Sequence, residues 1–421
     1  MHVYFSGIGG HAIGPLAMIA KQAGYEVSGS DKQRSLETDA LQKQGITVHV
    51  GQTAEKIAAI HAKHPIDWLV YSSALSREDP DHPELVFARQ QDIKHTKRDE
   101  LLTKIIAEHN LKLLAVAGTH GKTTTTAMVV WLFKELGVPA SYSVGSRISF
   151  GPMGMYTPGS EYFIYECDEF DRNFLAFHPY VSAITGIAWD HHEIFPTQKN
   201  YNDAFREFIS QSQHTFAWRS DLATLNLETN SHIRVVDPLP GALNAIKLFG
   251  SFTRQDAWLA MLMVAFCTKT DIKILLEIIN RFPGLIQRME RLTDGLYSNY
   301  AHTPEKIRGG MSAALEMAAE AKPKQKLIVI YEPLTNRRQH YIKEDYKDCF
   351  SGAAKLYWVP SYLAREDPNL PVLTPAELIP YLSDSSIAEP AVLDDSLEAN
   401  IRKHMQHGDL VVAMGAAGGG S

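Results

Sequence analysis

The sequence predicts an α/β protein built on parallel sheets, and three observations carry the prediction. Short apolar strands alternate with amphipathic helices from the first residues onward, a pattern that yields a parallel sheet covered on both faces. A second strand–turn–helix series starts at Leu111, and a third region begins after Pro283-Gly284. The 421 residues suit two to four domains at roughly 100–200 residues each. Boundaries near 108 and 282 divide the chain into 1–107, 108–282 and 283–421.

In the first region residues 2–6 read as a strand, and Gly7-Ile8-Gly9-Gly10 turns the chain. Residues 15–23 read as a helix ended by Gly24. Residues 25–28 form a second strand whose run ends at Asp31. Residues 68–72 form another, closed by Ser72 and Ser73. In the second region the apolar strand 113–117 runs into a Gly-rich turn. A helix over about 123–136 follows, closed by Gly137. Residues 162–165 and 181–184 are further strands, and 258–266 and 272–279 are packed helices. The third region holds strands at 327–331, 356–359 and 410–413. The tail from Gly415 to Ser421 is low in complexity: a flexible end, or a Gly-rich turn.

Composition narrows the class. Hydrophobic residues make up 45% and charged residues 21%, which excludes a disordered tail, a collagen and a coiled coil. The net charge is −7 with no basic block, so a nucleic-acid partner loses its electrostatic motive. The longest apolar run is the nonamer 258–266, too short for a bilayer; no membrane insertion is expected. The N-terminus carries no basic region of a signal peptide. Cys167, Cys267 and Cys349 lie far apart, as reduced thiols in a cytoplasmic protein do. Oligomeric state is not legible.

The strongest chemical signal is Gly118-Thr119-His120-Gly121-Lys122-Thr123-Thr124, between a buried strand and a helix. Backbone N–H groups in such a turn converge on an anion, and the helix N-terminus adds partial positive charge. Lys122 can reach outer phosphates, and the Thr123 hydroxyl suits Mg²⁺. The spacing departs from the common phosphate-loop pattern, which needs Gly where Val116 stands. The plainer alternative is a Gly-capped strand–helix turn. At the N-terminus Gly7, Gly9, Gly10 and Gly14 make a turn that suits a diphosphate or is purely structural; Ala12 stands where a dinucleotide fingerprint has Gly. Asp31 can accept from a ribose or serve as a turn residue.

Glu166-Cys167-Asp168-Glu169 and Asp190-His191-His192-Glu193 each follow a strand. Ligands of open α/β sheets bind at that edge. Carboxylate and imidazole from neighbouring strands can complete a metal–phosphate site there, or remain polar loops. The Asp-His-His-Glu spacing is wrong for a helical zinc protease, and no Cys-x-x-Cys is present. Arg288-Met289-Glu290 and Tyr300-Ala301-His302-Thr303-Pro304 carry little weight alone.

Taken together, these residues resemble the Mur ligase family, the ATP-dependent amide-forming enzymes of peptidoglycan assembly. The resemblance runs in order through nearly the whole chain: the Gly7–Gly10 turn, Ser28-Gly29-Ser30-Asp31, the phosphate loop with Thr125-Thr126-Ala127-Met128, Glu166 to Glu169, Asp190-His191, Arg288, and Tyr300 to Pro304. The loop His and the run of Thr are similar to the alanine-adding branch. The resemblance implies a three-domain architecture. Rossmann-like N- and C-terminal domains, for UDP-sugar and for amino acid and lid, would flank a central P-loop ATPase domain. It implies an amide formed between UDP-N-acetylmuramate and L-alanine through an acyl phosphate, with ATP and Mg²⁺. Lys122, Glu166 and His191 would be catalytic. Gly118, Thr119, His120, Gly121, Lys122, Thr123, Thr124 and Arg288 would hold ATP, and Thr123, Glu166 and His191 would serve the metal. Gly7, Ile8, Gly9, Gly10, Asp31 and Ser72 would hold the UDP-sugar, and His302 and Arg338 would lie on the amino-acid side.

Several positions depart from the family pattern. Gly186 replaces an Asn, Phe252-Thr253 a His-Asn pair, Asp256 an Asn and Asn299 an Asp. The stretch 230–250 is short. Glu332-Pro333-Leu334-Thr335-Asn336 is closer to the branch that recycles a tripeptide onto the same sugar. Ala204 and Phe205 stand where other branches carry a carbamoylated Lys, as expected for the alanine-adding and recycling members. The alternatives are therefore tripeptide recycling, a non-catalytic nucleotide-binding relative, or a plain P-loop phosphotransferase.

Overall fold

The computed structural model describes residues 1–415 except 73, 74, 77, 78, 192, 193, 364–366 and 368. Ser73, His192, Glu193 and the tail beyond Gly415 thus lie outside the described residues. Two compact units form: Met1–Ala242 with Asp256–Phe282, and Leu243–Gln255 with Pro283–Ser421. Residues Leu243–Gln255 group with the later part of the chain, and within that unit Arg254 pairs with Glu316 at 2.6 Å.

The first unit holds two sheets. One comprises β1 (His2–Ser6), β2 (Glu26–Asp31), β3 (Thr47–Val50), β4 (Trp68–Tyr71) and β5 (Lys94–Lys97). Its order is β3-β2-β1-β4-β5, parallel throughout. The order reverses between β1 and β4, the crevice where such sheets take ligands. The turn after β1 and Ser72 after β4 both sit there. The helix Ile13–Gln22 starts two residues before the predicted 15. Pro15 falls in its first turn, where the missing N–H has no intrahelical partner to lose. Val3, Phe5, Leu16, Ala17 and Ile19 bury that face.

The other sheet comprises β6 (Lys112–Ala117), β7 (Ala140–Ser143), β8 (Gly154–Met155), β9 (Tyr162–Glu166), β10 (Val181–Ile184), β11 (His214–Trp218) and β12 (Ile233–Val236). The order is β12-β11-β10-β6-β9-β7-β8, and only the β7–β8 pair is antiparallel. Central β6 is fully buried from Leu113 to Ala117, so it reads as one apolar run. Its neighbours are β9 and β10, with Val116 opposite Glu166 and Ala117 opposite Ile184. The loops leaving β6, β9 and β10 therefore emerge side by side at one edge. The helix Lys122–Glu135 leaves β6. The helix predicted at 258–266 is the interior of Ser251–Thr268, whose polar first turns hide it from an apolar reading. The helix Ile272–Ile279 has the bounds predicted for it.

The second unit's sheet comprises β13 (Arg288–Thr293), β14 (Leu296–Asn299), β15 (Leu327–Glu332), β16 (Lys355–Trp358), β17 (Ala388–Pro390) and β18 (Leu410–Gly415). Its order is β13-β14-β18-β15-β16-β17. An antiparallel hairpin, β13–β14, is attached to a parallel sheet. The hairpin is additional to the sequence prediction. Its turn is Asp294-Gly295, with Gly295 at φ 77°, a residue pair typical of such turns. Among the described residues, no helix is long and apolar enough to cross a membrane.

Candidate active site

The phosphate loop is shaped by two glycines. Gly118 (φ 141°) and Gly121 (φ 80°) adopt backbone that side chains rarely take. A Cβ on Gly118 would lie 2.9 Å from the Gly186 carbonyl oxygen and 3.0 Å from the Thr185 nitrogen. The loop is also tied to the chain leaving β10. The Thr119 N–H donates to the Gly186 carbonyl at 2.8 Å, and its hydroxyl donates to the Ala188 carbonyl at 2.8 Å. The Thr185 hydroxyl donates to the His120 carbonyl. The result is a fixed concave backbone at the N-terminus of a helix, which favours an anion.

The charged side chains meet above this loop in two groups. Lys122 Nζ donates to Glu169 Oε2 and to the Gly118 carbonyl, both at 2.6 Å. Thr123 Oγ1 donates to Glu166 Oε1 at 2.9 Å, and the Gly145 N–H donates to Glu166 Oε2 at 2.8 Å. His191 lies nearer Glu169, its Nε2 3.6 Å from Oε1. The expectation of Thr123, Glu166 and His191 as one cluster thus meets a different arrangement. Thr123 pairs with Glu166, while His191 and Lys122 share Glu169. Glu169 was not among the predicted site residues. Its signal was its place three residues after Glu166, legible only once Lys122 is known to come from the neighbouring strand.

Electrostatics follow from this pairing. Burial opposes ionisation of Glu169, but Lys122 and the nearby His191 imidazole outweigh it and hold its carboxyl down at about 2. Burial likewise opposes the Lys122 ammonium, yet the charge of Glu169 keeps its pKa above the ordinary lysine value. Burial pushes the Glu166 carboxyl up, against the pull of Lys122, the Gly145 N–H and the Thr123 hydroxyl. For His191 burial acts to lower the pKa, and the neighbouring Glu169 with other nearby carboxylates raises it overall.

These residues fit a magnesium–nucleotide site. The Thr123 hydroxyl and Glu166 carboxylate are hard oxygen donors already in contact, and Mg²⁺ takes its remaining ligands from phosphate and water. No group of three His, Cys, Asp or Glu side chains forms a metal cage among the described residues. Asp256 also lies against the loop: a Cβ on Gly121 would meet its Oδ2 at 3.0 Å. Burial drives that carboxyl well above its ordinary value, with the nearby Thr125 acting the other way.

A cavity of about 240 Å³ connects this site with the first sheet. It is lined by His11 and Ala12 beyond the Gly-rich turn, by Arg98, and by Gly145, Glu166 and Asp168. Arg98 lies 3.7 Å from Asp168. The turn itself is closed by Asp31, whose Oδ2 accepts from the Gly9 N–H at 2.9 Å. The Ile8 N–H donates to the Ser30 carbonyl at 2.8 Å, and the Gly10 N–H to the Gly7 carbonyl at 3.0 Å. Asp31 thus has a structural task in this turn. The Ser72 hydroxyl accepts from the Leu75 N–H at 3.3 Å.

The remaining predicted residues belong to the second unit. Arg288 Nη1 donates to the Gln287 carbonyl at 3.3 Å and the Tyr300 carbonyl at 3.2 Å. Its guanidinium sits 4.9 Å from the centre of the Tyr300 ring, and the ring of buried His302 lies 4.6 Å away on the same tyrosine. Arg288 and His302 are therefore brought together. Arg338 lies on the helix Asn336–Ile342, where buried Gln339 accepts from the Tyr346 hydroxyl at 2.5 Å.

Comparison with known proteins gives a consistent picture. Residues 2–110 match the model for the Mur ligase family catalytic domain, and residues 116–238 match the model for the Mur ligase middle domain. The chain is 29% identical to a UDP-N-acetylmuramate–L-alanine ligase of Nocardioides, over 98% of this chain and 93% of that protein. It is 28% identical to the Clostridium tetani protein of the same name, over 98% and 95%. In structure it is similar to UDP-N-acetylmuramate–alanine ligase MurC from Thermotoga maritima. The TM-score is 0.76 at 22% identity, covering 100% of this chain and 96% of that one. It is also similar in fold to a murein peptide ligase from Psychrobacter arcticus, with a TM-score of 0.64 at 19% identity, covering 99% and 96%.

Proposed function

The chain belongs to the Mur ligase family, and from that premise we propose that it is an ATP-dependent ligase joining the carboxylate of UDP-N-acetylmuramate to the amine of L-alanine in peptidoglycan synthesis. The observation that carries the reading is the pairing of Lys122 with Glu169 and Thr123 with Glu166, beside a cavity that reaches toward the Gly-rich turn. In this reading residues 1–107 hold the UDP-sugar, 108–282 the nucleotide, and 283–421 the amino-acid side. Cytoplasmic location goes with it.

ATP and magnesium supply the phosphoryl group and the charge neutralisation that turn a poor electrophile, the carboxylate, into an acyl phosphate. The protein's part is to bring two anions together. Lys122 and the 118–124 loop hold phosphate oxygens, and Thr123 with Glu166 holds the metal. Each stabilises charge as it develops in transfer. Glu169 stays ionised and orients Lys122, with His191 on its other oxygen. Gly7, Ile8, Gly9 and Gly10, with Ser72, hold the diphosphate end of the sugar, and Asp31 on the sugar side shapes that turn through the Gly9 N–H. Arg288 serves the nucleotide, and His302 and Arg338 the amino acid.

A second reading, addition of a tripeptide to the same sugar, is favoured by Glu332-Pro333-Leu334-Thr335-Asn336. Phosphate release from ATP with UDP-N-acetylmuramate and a panel of L-alanine, L-serine, glycine and tripeptide separates the two. The first reading expects release with L-alanine. Release with tripeptide alone transfers the assignment to recycling, and release that needs no amine at all overturns both.

A further inference from the structure

The chain carries a net charge of −7, yet one cavity in the second unit gathers five lysines and a single aspartate. It measures about 880 Å³, within the range of small-molecule sites. Three separate segments wall it, and the run Lys322-Pro323-Lys324-Gln325-Lys326 supplies three of the five lysines. Lys322, Lys324 and Lys326 come from the run before β15. Lys355 opens β16. Lys403 comes from the end of the helix Asp395–Gln406.

Nearby carboxylates are already engaged. Asp409 accepts from His404 Nδ1 at 2.8 Å, and Glu389 pairs with Lys355 at 2.6 Å. Among the described residues, Lys322, Lys324, Lys326 and Lys403 have no carboxylate partner. Lys403 and His404 complement the last turn of their own helix. That explanation does not extend to the other three. They follow the helix Pro304–Glu320, whose last turn holds no basic residue, and they alternate along a non-helical run. Like charges facing one concavity repel until an anion enters, and the concave wall concentrates their field.

The cavity lies at the starts of β15, β16 and β18. The ends of β15 and β18, with Glu332 and Gly415, are the edge where α/β sheets take their substrates. A six-residue strand separates the two edges, about 20 Å. The lining holds lysines and no arginine. Ammonium groups act as point charges that neutralise phosphate without fixing its orientation, whereas the planar fork of an arginine matches carboxylate and phosphate alike.

We propose that this cavity binds a compact anion carrying two or more linked phosphates, apart from the substrates of the ligase reaction. The test compares the full chain with a Lys322→Gln, Lys324→Gln, Lys326→Gln variant by calorimetric titration. The three positions are exposed, and thermal unfolding verifies that the variant is folded. The phosphate loop of the first unit is untouched in both proteins, so the difference isolates the cavity. Inorganic tripolyphosphate should bind at least tenfold more weakly to the variant. An equal loss for tripolyphosphate and uridine triphosphate assigns recognition to the phosphate chain. A larger loss for uridine triphosphate assigns a nucleotide. Lys403→Gln should weaken binding further. Identical isotherms for wild type and variant overturn the proposal. So does a difference seen only with phosphatidylglycerol vesicles, which would make the patch a membrane contact.

Discussion

Replacing Glu169 by Gln removes one negative charge while keeping the shape of the side chain. In the native protein its carboxyl falls from 4.5 to about 2, which corresponds to roughly 3 kcal/mol favouring the ionised form. A depressed carboxyl stabilises the fold fully above its unfolded value near 4.5, and the contribution is lost as pH falls toward 2. The variant leaves the buried Lys122 ammonium without its counter-charge, a loss of about 3–5 kcal/mol where one partner of a buried pair is removed. We expect Glu169→Gln to be less stable than wild type by about 3 kcal/mol at pH 7, and the gap to shrink to less than about half by pH 3. Urea unfolding followed by tryptophan fluorescence measures it, since Trp68, Trp131, Trp189, Trp218 and Trp258 all lie in the first unit. A gap that stays constant between pH 7 and pH 3 would refute the ion pair as the source of the effect.

Lys122→Ala should lower turnover on the order of 10²-fold or more with circular dichroism unchanged; wild-type turnover would remove Lys122 from the reaction. Glu166→Gln should raise the Mg²⁺ concentration for half-maximal activity, while His191→Ala, whose imidazole sits on Glu169, should shift it less; unchanged requirements in both would dismiss a metal role for this edge. His191 shares Glu169 with Lys122 and its pKa is raised, so the limb of the pH–rate profile set by this imidazole should fall above the ordinary value of about 6.5 and move in Glu169→Gln. With Thr253 and Asn299 in place of the family residues, kcat/KM for ATP over GTP should show weaker preference than in relatives, because a pocket without a designed partner rejects analogues less; a strong ATP preference would assign the contacts to other residues.

The strands legible in the sequence were those buried on both faces. Strand β1 and strand β10 appear with the bounds predicted from their apolar runs. The strands at the sheet edges escaped. Lys94–Lys97 and Arg288–Thr293 are polar and partly solvated, so they carry no continuous apolar signal. The phosphate loop was readable because strand, glycines, Lys122 and helix are contiguous. The partners of its charges were not. Glu169 and Asp256 approach the loop from 47 and 134 residues away in the chain, and only the strand order β10-β6-β9 decides which carboxylate meets Lys122. For the same reason the approach of His191 to Glu169 is not legible in the sequence.

The most direct test of ligation through an acyl phosphate uses UDP-N-acetylmuramate labelled with ¹⁸O in its carboxylate. The protein is incubated with ATP, Mg²⁺ and L-alanine, and the phosphate released is analysed by mass spectrometry. If the carboxylate oxygen attacks the phosphoryl group and the amine then displaces phosphate, one ¹⁸O appears in phosphate for each amide formed. Amide formation with unlabelled phosphate would contradict the account.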